Sequence, residues 1–377
     1  MRFAATCLFG LEKLLGEEID RLGLTRVNTI DGRVIFDGDV SDIPRININL
    51  RYAERLYMVL GTFPARTFTE LFDGTRALRF YDYIGEKDAF PVKGHSIKSA
   101  LTSIPDCQSI IKKAAVESMK DKYSVVRFEE TGVKYQIEFF ILKDEATVMI
   151  DTSGTTLHKR GYRPESNAAP LRETLAAALV KLAHIREENL FWDPFCGSGT
   201  IAVEAALLMT DTAPGMNRGF ASREYPWIEK SDWDKAYEQA ADLVKRDCAF
   251  EAYASDIDAD CVRLSEQNAR RAGVGKYIKC FEYDARNIQT YGRRGTVVCN
   301  PPYGERLMDK DSVEKLYREV GEAFSKLGSW QIYVISSSDQ LEKLFRRRAD
   351  KVRKLYNGMI KCNYYQFFRS AEKSKGN

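Results

Sequence analysis

The sequence lacks long apolar runs, closely spaced cysteines and histidine clusters. No apolar run approaches the roughly 18 residues that a membrane-spanning helix requires, and the apolar start of the chain is too short for a secretory signal. The 8 cysteines include no pair in Cys-x-x-Cys spacing, and the 3 histidines are equally dispersed. We therefore expect no metal site and predict a cytoplasmic protein with reduced thiols and no membrane contact.

A strong excess of either charge is also absent. The 377 residues carry 57 Lys and Arg against 54 Asp and Glu, which gives a formal net charge of +3. Residues 1–155 hold 21 cations and 23 anions, whereas residues 156–377 hold 36 and 31. The amino-terminal part is therefore not a basic block, and any contact with nucleic acid must come from local clusters.

Strand and helix patterns divide the chain into a mixed amino-terminal part and an alternating carboxyl-terminal part. Residues 1–60 and 61–155 each look like a small α+β unit, with a loop predicted around Phe90–His95 in the second unit. From residue 156 to 377 strands alternate with helices, which predicts a doubly wound α/β sheet. The last two strands are joined by a turn at Asn357-Gly358, which predicts a closing antiparallel hairpin.

The stretch around Asn300 is the most informative in the chain. The apolar strand at 296–299 ends abruptly, because Pro301 and Pro302 cannot donate ladder hydrogen bonds. Ligands bind at the carboxyl ends of strands in open α/β sheets. The exocyclic amine of a base can donate its two hydrogens to the Asn300 amide oxygen and the Pro301 carbonyl, while Tyr303 stacks on the ring. A rigid turn with a surface aromatic residue is the alternative interpretation.

A glycine-rich turn lies upstream, between an apolar strand and a helix of good helix formers. It runs Asp193-Pro-Phe-Cys-Gly-Ser-Gly-Thr200. Gly197 and Gly199 let the backbone approach a ligand closely, and the amides that open the following helix point at that ligand. No third glycine and no Gly-Lys-Ser/Thr follows, so the turn is neither a strong dinucleotide fingerprint nor a P-loop.

Together the two motifs resemble those of class I S-adenosylmethionine-dependent amino-methyltransferases. The chain is more narrowly similar to the THUMP-domain RNA guanine-N2 methyltransferases that modify 23S rRNA, over its whole length and in the same motif order. The resemblance implies a class I methyltransferase domain at 156–377, a ferredoxin-like cap at 1–60 and a THUMP RNA-docking domain at 61–155. The other matching stretches are 156–163, 169–177, 213–218 and 254–258.

With this resemblance we assign the cofactor site for S-adenosylmethionine. Asp193 is expected to orient the glycine loop and the cofactor amine, and Gly197 and Gly199 to leave room for the methionine portion. Asp256 is expected to accept hydrogen bonds from the ribose hydroxyls, and Asp284 from the adenine amine.

Several neighbouring residues receive secondary roles. In the family the segment Leu171-Arg-Glu-Thr-Leu175 helps to line the cofactor pocket, which makes Arg172, Glu173 and Thr174 secondary candidates. Cys196 and Cys299 are expected to be buried filler, since no histidine stands beside either thiol to activate it. Asp258 is expected to cap the helix that follows it. Methyl transfer then needs alignment of donor and acceptor rather than a covalent intermediate.

Local clusters are the predicted RNA contacts. The linker at 158–163 combines three cations with an aromatic residue, which can grip phosphate and stack a base. Residues 210–250 look like an insertion that forms a lid or an RNA surface near the cofactor. Ordinary solvated surface is the alternative for the cationic clusters. The remaining candidates are Ser96, Lys98, Lys112 and Lys113 in the THUMP region, and Lys343, Arg346, Arg347, Arg348, Lys351, Arg353 and Lys354.

We therefore predict an enzyme that methylates guanine N2 in 23S rRNA, acting on a flipped or single-stranded base. A tRNA guanine-N2 methyltransferase and an adenine-N6 DNA methyltransferase are the alternatives within the class, because Asn-Pro-Pro-Tyr does not identify the base. A non-catalytic RNA-binding assembly factor is the alternative from another class, and the intact site residues argue against it. The sequence leaves the target nucleotide and the oligomeric state open.

Overall fold

The computed structural model describes residues 1–164, 171–303 and 310–368. No helix in this part of the chain is long and apolar enough to cross a membrane. The strands are β1 Arg2–Thr6, β2 Thr25–Ile30, β3 Arg33–Asp37, β4 Arg55–Pro64, β5 Val92–Ile97, β6 Ile137–Leu142, β7 Glu145–Asp151, β8 Leu190–Asp193, β9 Ala252–Asp256, β10 Ile278–Glu282, β11 Gly295–Cys299, β12 Gln331–Ser336, β13 Lys351–Asn357 and β14 Ile360–Phe367. The α-helices are α1 Glu12–Arg21, α2 Asp42–Asn49, α3 Phe68–Arg76, α4 Ile104–Met119, α5 Glu173–Leu182, α6 Thr200–Met209, α7 Lys230–Asp242, α8 Ala259–Arg271, α9 Lys310–Ser325 and α10 Leu341–Leu344.

The amino-terminal residues form one sheet with the strand order β2-β3-β1-β4-β7-β6-β5. Strand β4 is 10 residues long and pairs with β1 near its start and with β7 along most of its length. Helices α1, α3 and α4 pack on one face, where Phe3, Leu56 and Ile150 are fully buried. The predicted boundary between residues 60 and 61 lies inside β4, so the ferredoxin-like and THUMP units share a strand instead of being joined by a linker.

The loop predicted around Phe90–His95 is wrong, because strand β5 occupies Val92–Ile97 and pairs in parallel with β6. Pro91 stands just before the strand, and its carbonyl accepts a hydrogen bond from the Ile137 amide at 2.9 Å. Gly94 allows close packing, since a Cβ there would lie 2.2 Å from the Phe139 carbonyl oxygen. Pro91 therefore marks the start of an edge strand, and Gly94 marks the point where that strand packs closely on its neighbour.

The carboxyl-terminal sheet has the strand order β10-β9-β8-β11-β12-β14-β13. Strand β8 pairs in parallel with β9 on one side and with β11 on the other, so the order of the chain reverses at β8. Strand β14 runs antiparallel to β12. The predicted doubly wound sheet with a closing antiparallel hairpin is confirmed, and its ligand-binding edge is the one where β8, β9 and β11 end.

The closing hairpin turns one residue later than predicted. Asn357 pairs with Ile360 in the ladder, so the two turn residues are Gly358 and Met359. Gly358 has φ +64° and Met359 is not in the positive-φ region, which suits glycine at the first central position of a two-residue turn. The prediction of an Asn357-Gly358 turn is thereby corrected, and Met359 stands at the apex.

Residues 210–250 join the two sheets. Helix α7 packs on α2, and the Gly215 amide donates a hydrogen bond to the Ile48 carbonyl at 2.9 Å. The ring of Tyr225 stacks on that of Tyr135 with centroids 4.3 Å apart. No residue of this insertion lines the cavity of the candidate active site. The insertion is therefore a docking element and does not cover this cavity as a lid, while its alternative role as an RNA surface stays a prediction.

A buried polar network crosses the same interface. The Arg160 guanidinium donates to the Leu157 and Arg51 carbonyls, and the Tyr162 hydroxyl donates to Glu204 Oε1 at 3.0 Å. Arg160 and Tyr162 are each only 2% exposed. The prediction that they grip phosphate and stack a base is therefore wrong, because their polar atoms already satisfy buried oxygens between the sheets.

The docking contact predicts a difference between two glycines of the insertion. A Cβ on Gly215 would lie 2.6 Å from the Ile48 Cα, whereas a Cβ on Gly219 would meet nothing within 4 Å. Gly215→Ala should lower the urea midpoint of unfolding, because overpacking costs about 1–3 kcal/mol. Gly219→Ala is the matched control and should leave the midpoint unchanged. Equal midpoints for the two variants would contradict docking at Ile48.

Candidate active site

Asp193 is the last residue of β8 and is almost completely buried, with 1% of its surface exposed. Its Oδ1 accepts a hydrogen bond from the Phe195 amide at 3.2 Å, and its Oδ2 has no hydrogen-bond partner among the described residues. Burial raises the pKa of this carboxyl well above its usual range. A buried acceptor without a donor costs free energy unless a ligand supplies one. Asp193 is therefore suited to accept a donor group of a cofactor.

The glycine loop after β8 is fixed to the neighbouring strand. Gly197 has φ +49°, and its amide donates to Asp256 Oδ2 at 3.0 Å. Gly199 has φ +77°, and a Cβ there would lie 2.9 Å from the Ser265 side chain on α8. Gly197 lines the cavity and Gly199 does not. The expected close approach of a ligand thus suits Gly197, while Gly199 allows helices α6 and α8 to pack.

Asp256 ends β9 beside this loop. Its Oδ1 accepts from the Asp258 amide at 3.1 Å, and its Oδ2 is the acceptor for Gly197. Burial raises the pKa of the Asp256 carboxyl. Each carboxylate oxygen keeps a second lone pair, so the group can also accept from ribose hydroxyls. Asp258 caps α8 by accepting from the Asp260 amide at 2.8 Å, which confirms its predicted role.

Asp284, which follows β10, lies in a different environment. Arg286 Nε donates to both of its carboxylate oxygens, at 2.9 and 2.8 Å, and this hydrogen bonding lowers the pKa of Asp284. Arg286 also contacts Glu319 of α9 at 3.1 Å. Asp284 lines the cavity, as expected, but its predicted hydrogen bond to the adenine amine must share the carboxylate with this arginine.

Asn300 follows β11 at the same sheet edge as Asp193 and Asp256. Its Oδ1 is buried and has no hydrogen-bond partner among the described residues. The next two prolines hold the backbone rigidly, and the Pro302 carbonyl accepts from the Tyr317 hydroxyl at 3.1 Å. The Asn300 amide oxygen is therefore presented to the cavity as a fixed acceptor.

Tyr303 forms part of the cavity wall on the side of the hairpin. Its hydroxyl accepts from Asn357 Nδ2 at 3.1 Å, and the side chain is half-buried. This hydrogen bond fixes the ring of Tyr303 to the end of β13, so the predicted stacking platform has a defined orientation. The rest of the motif, Gly304–Leu307, lies outside the described residues.

These side chains surround a cavity of about 650 Å³, within the range of small-molecule sites. Sequence reasoning missed about half of its lining. Most of the missed residues stand next to the predicted ones along the chain or on α9, which follows the Asn-Pro-Pro-Tyr motif, and position was their only signal. These include Phe195, Ile257, Cys261, Arg286, Lys315, Leu316 and Glu319. Asn357 and Ile360 come from the closing hairpin instead.

The two cysteines of the motifs have no part in covalent chemistry. Cys196 is 6% exposed and Cys299 is fully buried, and burial raises the pKa of both thiols well above its usual value. The prediction of buried filler is confirmed. The described residues contain no group of histidine, cysteine and acidic side chains that could hold a metal ion.

The secondary candidates at 172–174 do not reach the cavity. Arg172 Nη1 and Thr174 Oγ1 donate to the Glu54 carboxylate at 2.8 and 2.6 Å, and Glu173 pairs with Arg163 at 3.0 Å. The prediction is therefore wrong for these three residues, whereas Leu171, at the start of the same segment, lines the cavity. Arg172 and Thr174 contact Glu54 just before β4, and helix α5, which they open, packs on α6.

The predicted RNA contacts in the THUMP region divide into two groups. Ser96 Oγ donates to a backbone carbonyl, and Lys112 Nζ pairs with Glu130 at 2.6 Å. Burial lowers the pKa of Lys112. Lys98 and Lys113 are exposed, and these two remain candidates for phosphate contacts.

Part of the cationic run at 343–354 lies far from the cavity. Lys351 stands at the start of β13 and Asn357 at its end, which separates them by roughly 20 Å at 3.3 Å per residue. The members of the run up to Lys351 therefore suit the RNA backbone at a distance from the reacting base, whereas Lys354 lies nearer the cavity end of β13. The exposed members of the run are Lys343, Arg346, Arg348, Lys351 and Lys354.

Taken together, the strand order, the glycine loop and the acidic strand ends define a class I methyltransferase that uses S-adenosylmethionine. Three domain families match the chain in the same order as its two sheets. The RlmL ferredoxin-like domain matches residues 2–57, the THUMP domain matches 65–151, and the RMKL-like methyltransferase domain matches 160–366. The chain therefore belongs to the RMKL-like methyltransferase family.

Proteins similar to this chain carry related names. YpsC of Bacillus subtilis strain 168, named as a candidate RNA methyltransferase, is 44% identical over 366 residues, which cover 97% of this chain and 95% of YpsC. Ribosomal RNA large subunit methyltransferase K/L of Shewanella oneidensis is 29% identical over 385 residues, covering 100% of this chain and 54% of that protein. The chain thus spans about half the length of the K/L relatives.

Solved structures agree with the fold and the cofactor. A predicted N6-adenine-specific DNA methylase from Listeria monocytogenes is 44% identical, with a TM-score of 0.92 and coverage of 97% and 95% of the two chains. SMU.472, a methyltransferase candidate complexed with SAH, is 39% identical, with a TM-score of 0.92 and 97% coverage of both chains. S-adenosylmethionine is thereby confirmed as the cofactor, and the unpaired Asp193 oxygen fits a cofactor donor.

The geometry around Asp256 predicts a loss of cofactor affinity in Asp256→Asn. The variant removes the negative charge that is expected to accept the ribose hydroxyls, and SAH binding should weaken by about 1.5–3 kcal/mol, the range for a charge-assisted hydrogen bond. Isothermal calorimetry with SAH measures this change. Asp234→Asn, an exposed position on α7, is the control. Unchanged affinity in Asp256→Asn would contradict the placement of the ribose.

Proposed function

We propose that this protein is an RNA methyltransferase that transfers a methyl group to an exocyclic amine, with guanine N2 of 23S rRNA as the first candidate. The observation that carries the proposal is the buried, unpaired Oδ1 of Asn300 at the sheet edge that also holds Asp193 and Asp256. A free acceptor beside a cofactor site is suited to a substrate that brings N–H donors.

The chemistry of the reaction explains why such an acceptor is needed. S-adenosylmethionine supplies an electrophilic methyl group, while the lone pair of an exocyclic amine is delocalised into its ring. Hydrogen bonds from the amine to Asn300 Oδ1 and the Pro301 carbonyl would enrich the nitrogen and orient it toward the methyl group. Forming the nitrogen–carbon bond would break the sulfur–methyl bond, leave S-adenosylhomocysteine, and release one proton of the amine to solvent. Tyr303 would hold the plane of the base. No covalent intermediate is required, in keeping with the buried thiols.

RNA as the substrate is supported by the THUMP match at 65–151 and by the names of YpsC and the K/L relatives. Because the chain spans only about half of the K/L proteins, their whole activity is not transferred to it. A base paired in a duplex cannot enter the cavity, so the target must be flipped or single-stranded. A ribosomal substrate would also place the protein in the cytoplasm, and we include that location in the proposal.

The division of labour along the chain is part of the same proposal. Residues 1–60 and 61–155 would select the RNA, and residues 156–377 would carry out the transfer. The shared strand β4 and the docking insertion at 210–250 hold the selecting and reacting parts in one arrangement. The distance between the recognised RNA element and the target base would then be set by the protein.

Adenine N6 is the second candidate acceptor, favoured by the name of the Listeria structure. Two acceptors at Asn300 and Pro301 suit the amine of adenine as well as that of guanine, so the contact alone does not choose between the bases. A tRNA substrate would use the same chemistry. An assembly factor without catalysis would have no use for an acceptor left unpaired at the end of β11.

Nucleoside mass spectrometry of a deletion strain tests the substrate. We expect N2-methylguanosine to fall in 23S rRNA from the strain that lacks this gene, and to return when the wild-type gene is supplied. A gene that encodes the Asn300→Ala variant should not restore N2-methylguanosine. A loss confined to tRNA, or a loss of N6-methyladenine from DNA, would replace guanine N2 of 23S rRNA with that alternative.

Substitutions at Asn300 and Tyr303 should affect turnover and hardly affect cofactor affinity. Asn300→Ala removes an acceptor used most in the transition state, and we expect kcat to fall about 100-fold, as for loss of one preorganised hydrogen-bonding group. SAH affinity should stay within about twofold. Asn189→Ala, before β8 and so at the opposite sheet edge, is the matched control. Wild-type turnover in Asn300→Ala would mean that the turn is structural only.

Tyr303 offers a separate test of base stacking. Tyr303→Ala should lose about 1–3 kcal/mol in kcat/KM for RNA, the range for one stacked base. Tyr303→Phe keeps the ring and loses the hydrogen bonds that the hydroxyl accepts from Asn357 and the Cys362 thiol, so it should retain most of the activity. Equal losses in the two variants would assign the effect to the hydroxyl and contradict stacking.

A further inference from the structure

The apex of the β13–β14 hairpin presents an unusual apolar surface. Met359 is 97% exposed and the adjacent Ile360 is 44% exposed. The two-residue turn is tight, because Asn357 and Ile360 are paired in the ladder and Gly358 takes the positive φ that the turn requires. An apolar side chain that is exposed on a rigid turn has most of its surface in water. Its burial therefore contributes almost nothing to the stability of the fold.

The apex lies at the mouth of the cavity. Asn357 and Ile360, which flank the turn, both line the cavity, and Asn357 Nδ2 donates to the Tyr303 hydroxyl at 3.1 Å. The hairpin is therefore connected directly to the aromatic ring proposed to stack on the target base. A part of the substrate that leaves the cavity on the side of the hairpin would pass beside Met359.

The charge of the hairpin indicates which partner meets this apex. Residues 351–368 contain four cations and no acidic residue. Lys354 and Lys361 are exposed, and Lys361 pairs with Tyr356 in the ladder one position beyond the turn. Cations beside an apolar tip suit a nucleic acid, whose phosphates attract the cations while its base stack accepts apolar side chains.

We propose that Met359, supported by Ile360, is a wedge that enters the base stack of the substrate RNA beside the cavity and keeps the target base extruded. Side chains such as Met and Ile are used in this way between base steps, where they offset the cost of unstacking the bases. The inference rests on the proposed function, because it requires RNA as the substrate. To that function the inference adds a role for Met359, which replaces the stacking that is lost when the target base leaves the RNA helix.

The experiment compares two forms of one substrate. Ribosomal RNA from the deletion strain is used folded in Mg²⁺, and also after mild alkaline fragmentation into short strands without stable duplexes. Met359→Ala should lower kcat/KM on the folded RNA about tenfold and change it less than twofold on the fragments, because only the folded RNA needs the wedge. Met359→Leu should retain activity on both. SAH affinity should stay at the wild-type value in each variant.

Leu243→Ala is the matched control, since Leu243 is 64% exposed and lies beyond α7, outside the cavity wall. It should leave both activities unchanged. Full activity of Met359→Ala on the folded RNA, or an equal loss on both RNAs, would overturn the wedge. Light scattering tests whether a second copy of the chain covers the apex instead of RNA. A dimer in the wild-type protein that becomes a monomer in Met359→Ala would assign the apex to that second copy. Wild-type protein that methylates neither RNA would instead contradict the proposed function itself.

Discussion

The pairing of β8 with both β9 and β11 is the constraint on which the rest of the site depends. Parallel strands end at the same sheet edge, so the pairing brings together Asp193, Asp256 and Asn300 from distant parts of the chain. The hydrogen bond from the Gly197 amide to Asp256 then closes the glycine loop against β9. The strand order therefore places the glycine loop on one side of the cavity and Asn300 on the other.

Two polar atoms at this edge are buried without partners among the described residues, namely Asp193 Oδ2 and Asn300 Oδ1. Leaving such an atom unsatisfied costs about 1–3 kcal/mol, and the packed sheet around it holds it in that position. A ligand that brings donors recovers this free energy on binding. Preorganisation of this kind favours a reaction that depends on alignment, because no group has to reorganise when the substrate arrives.

The same chain fixes its amino-terminal sheet to its catalytic sheet through contacts of two kinds. The insertion at 210–250 supplies apolar and aromatic packing, while Arg51, Arg160 and Glu204 supply a buried polar network. Removing one partner of such a network is strongly destabilising, because it leaves a charge buried and uncompensated. Arg160 of the linker is therefore part of the framework that sets the position of any RNA relative to the cavity.

The sequence by itself determined the doubly wound sheet and the main site residues, because these depend on local order: an apolar strand followed at once by Asp193, Asp256 or Asn300 must place that side chain at the strand end. The cap at Asp258 and the buried thiols were predictable for the same reason. Only the tertiary structure decided the roles of Gly199, Arg160 and the insertion. Their roles depend on which distant surface packs against them, and a cation buried against a carbonyl has the same local pattern as one exposed to solvent. The apex at Met359 was likewise fixed by strand register, which moved the turn by one residue and set an apolar side chain beside the cavity.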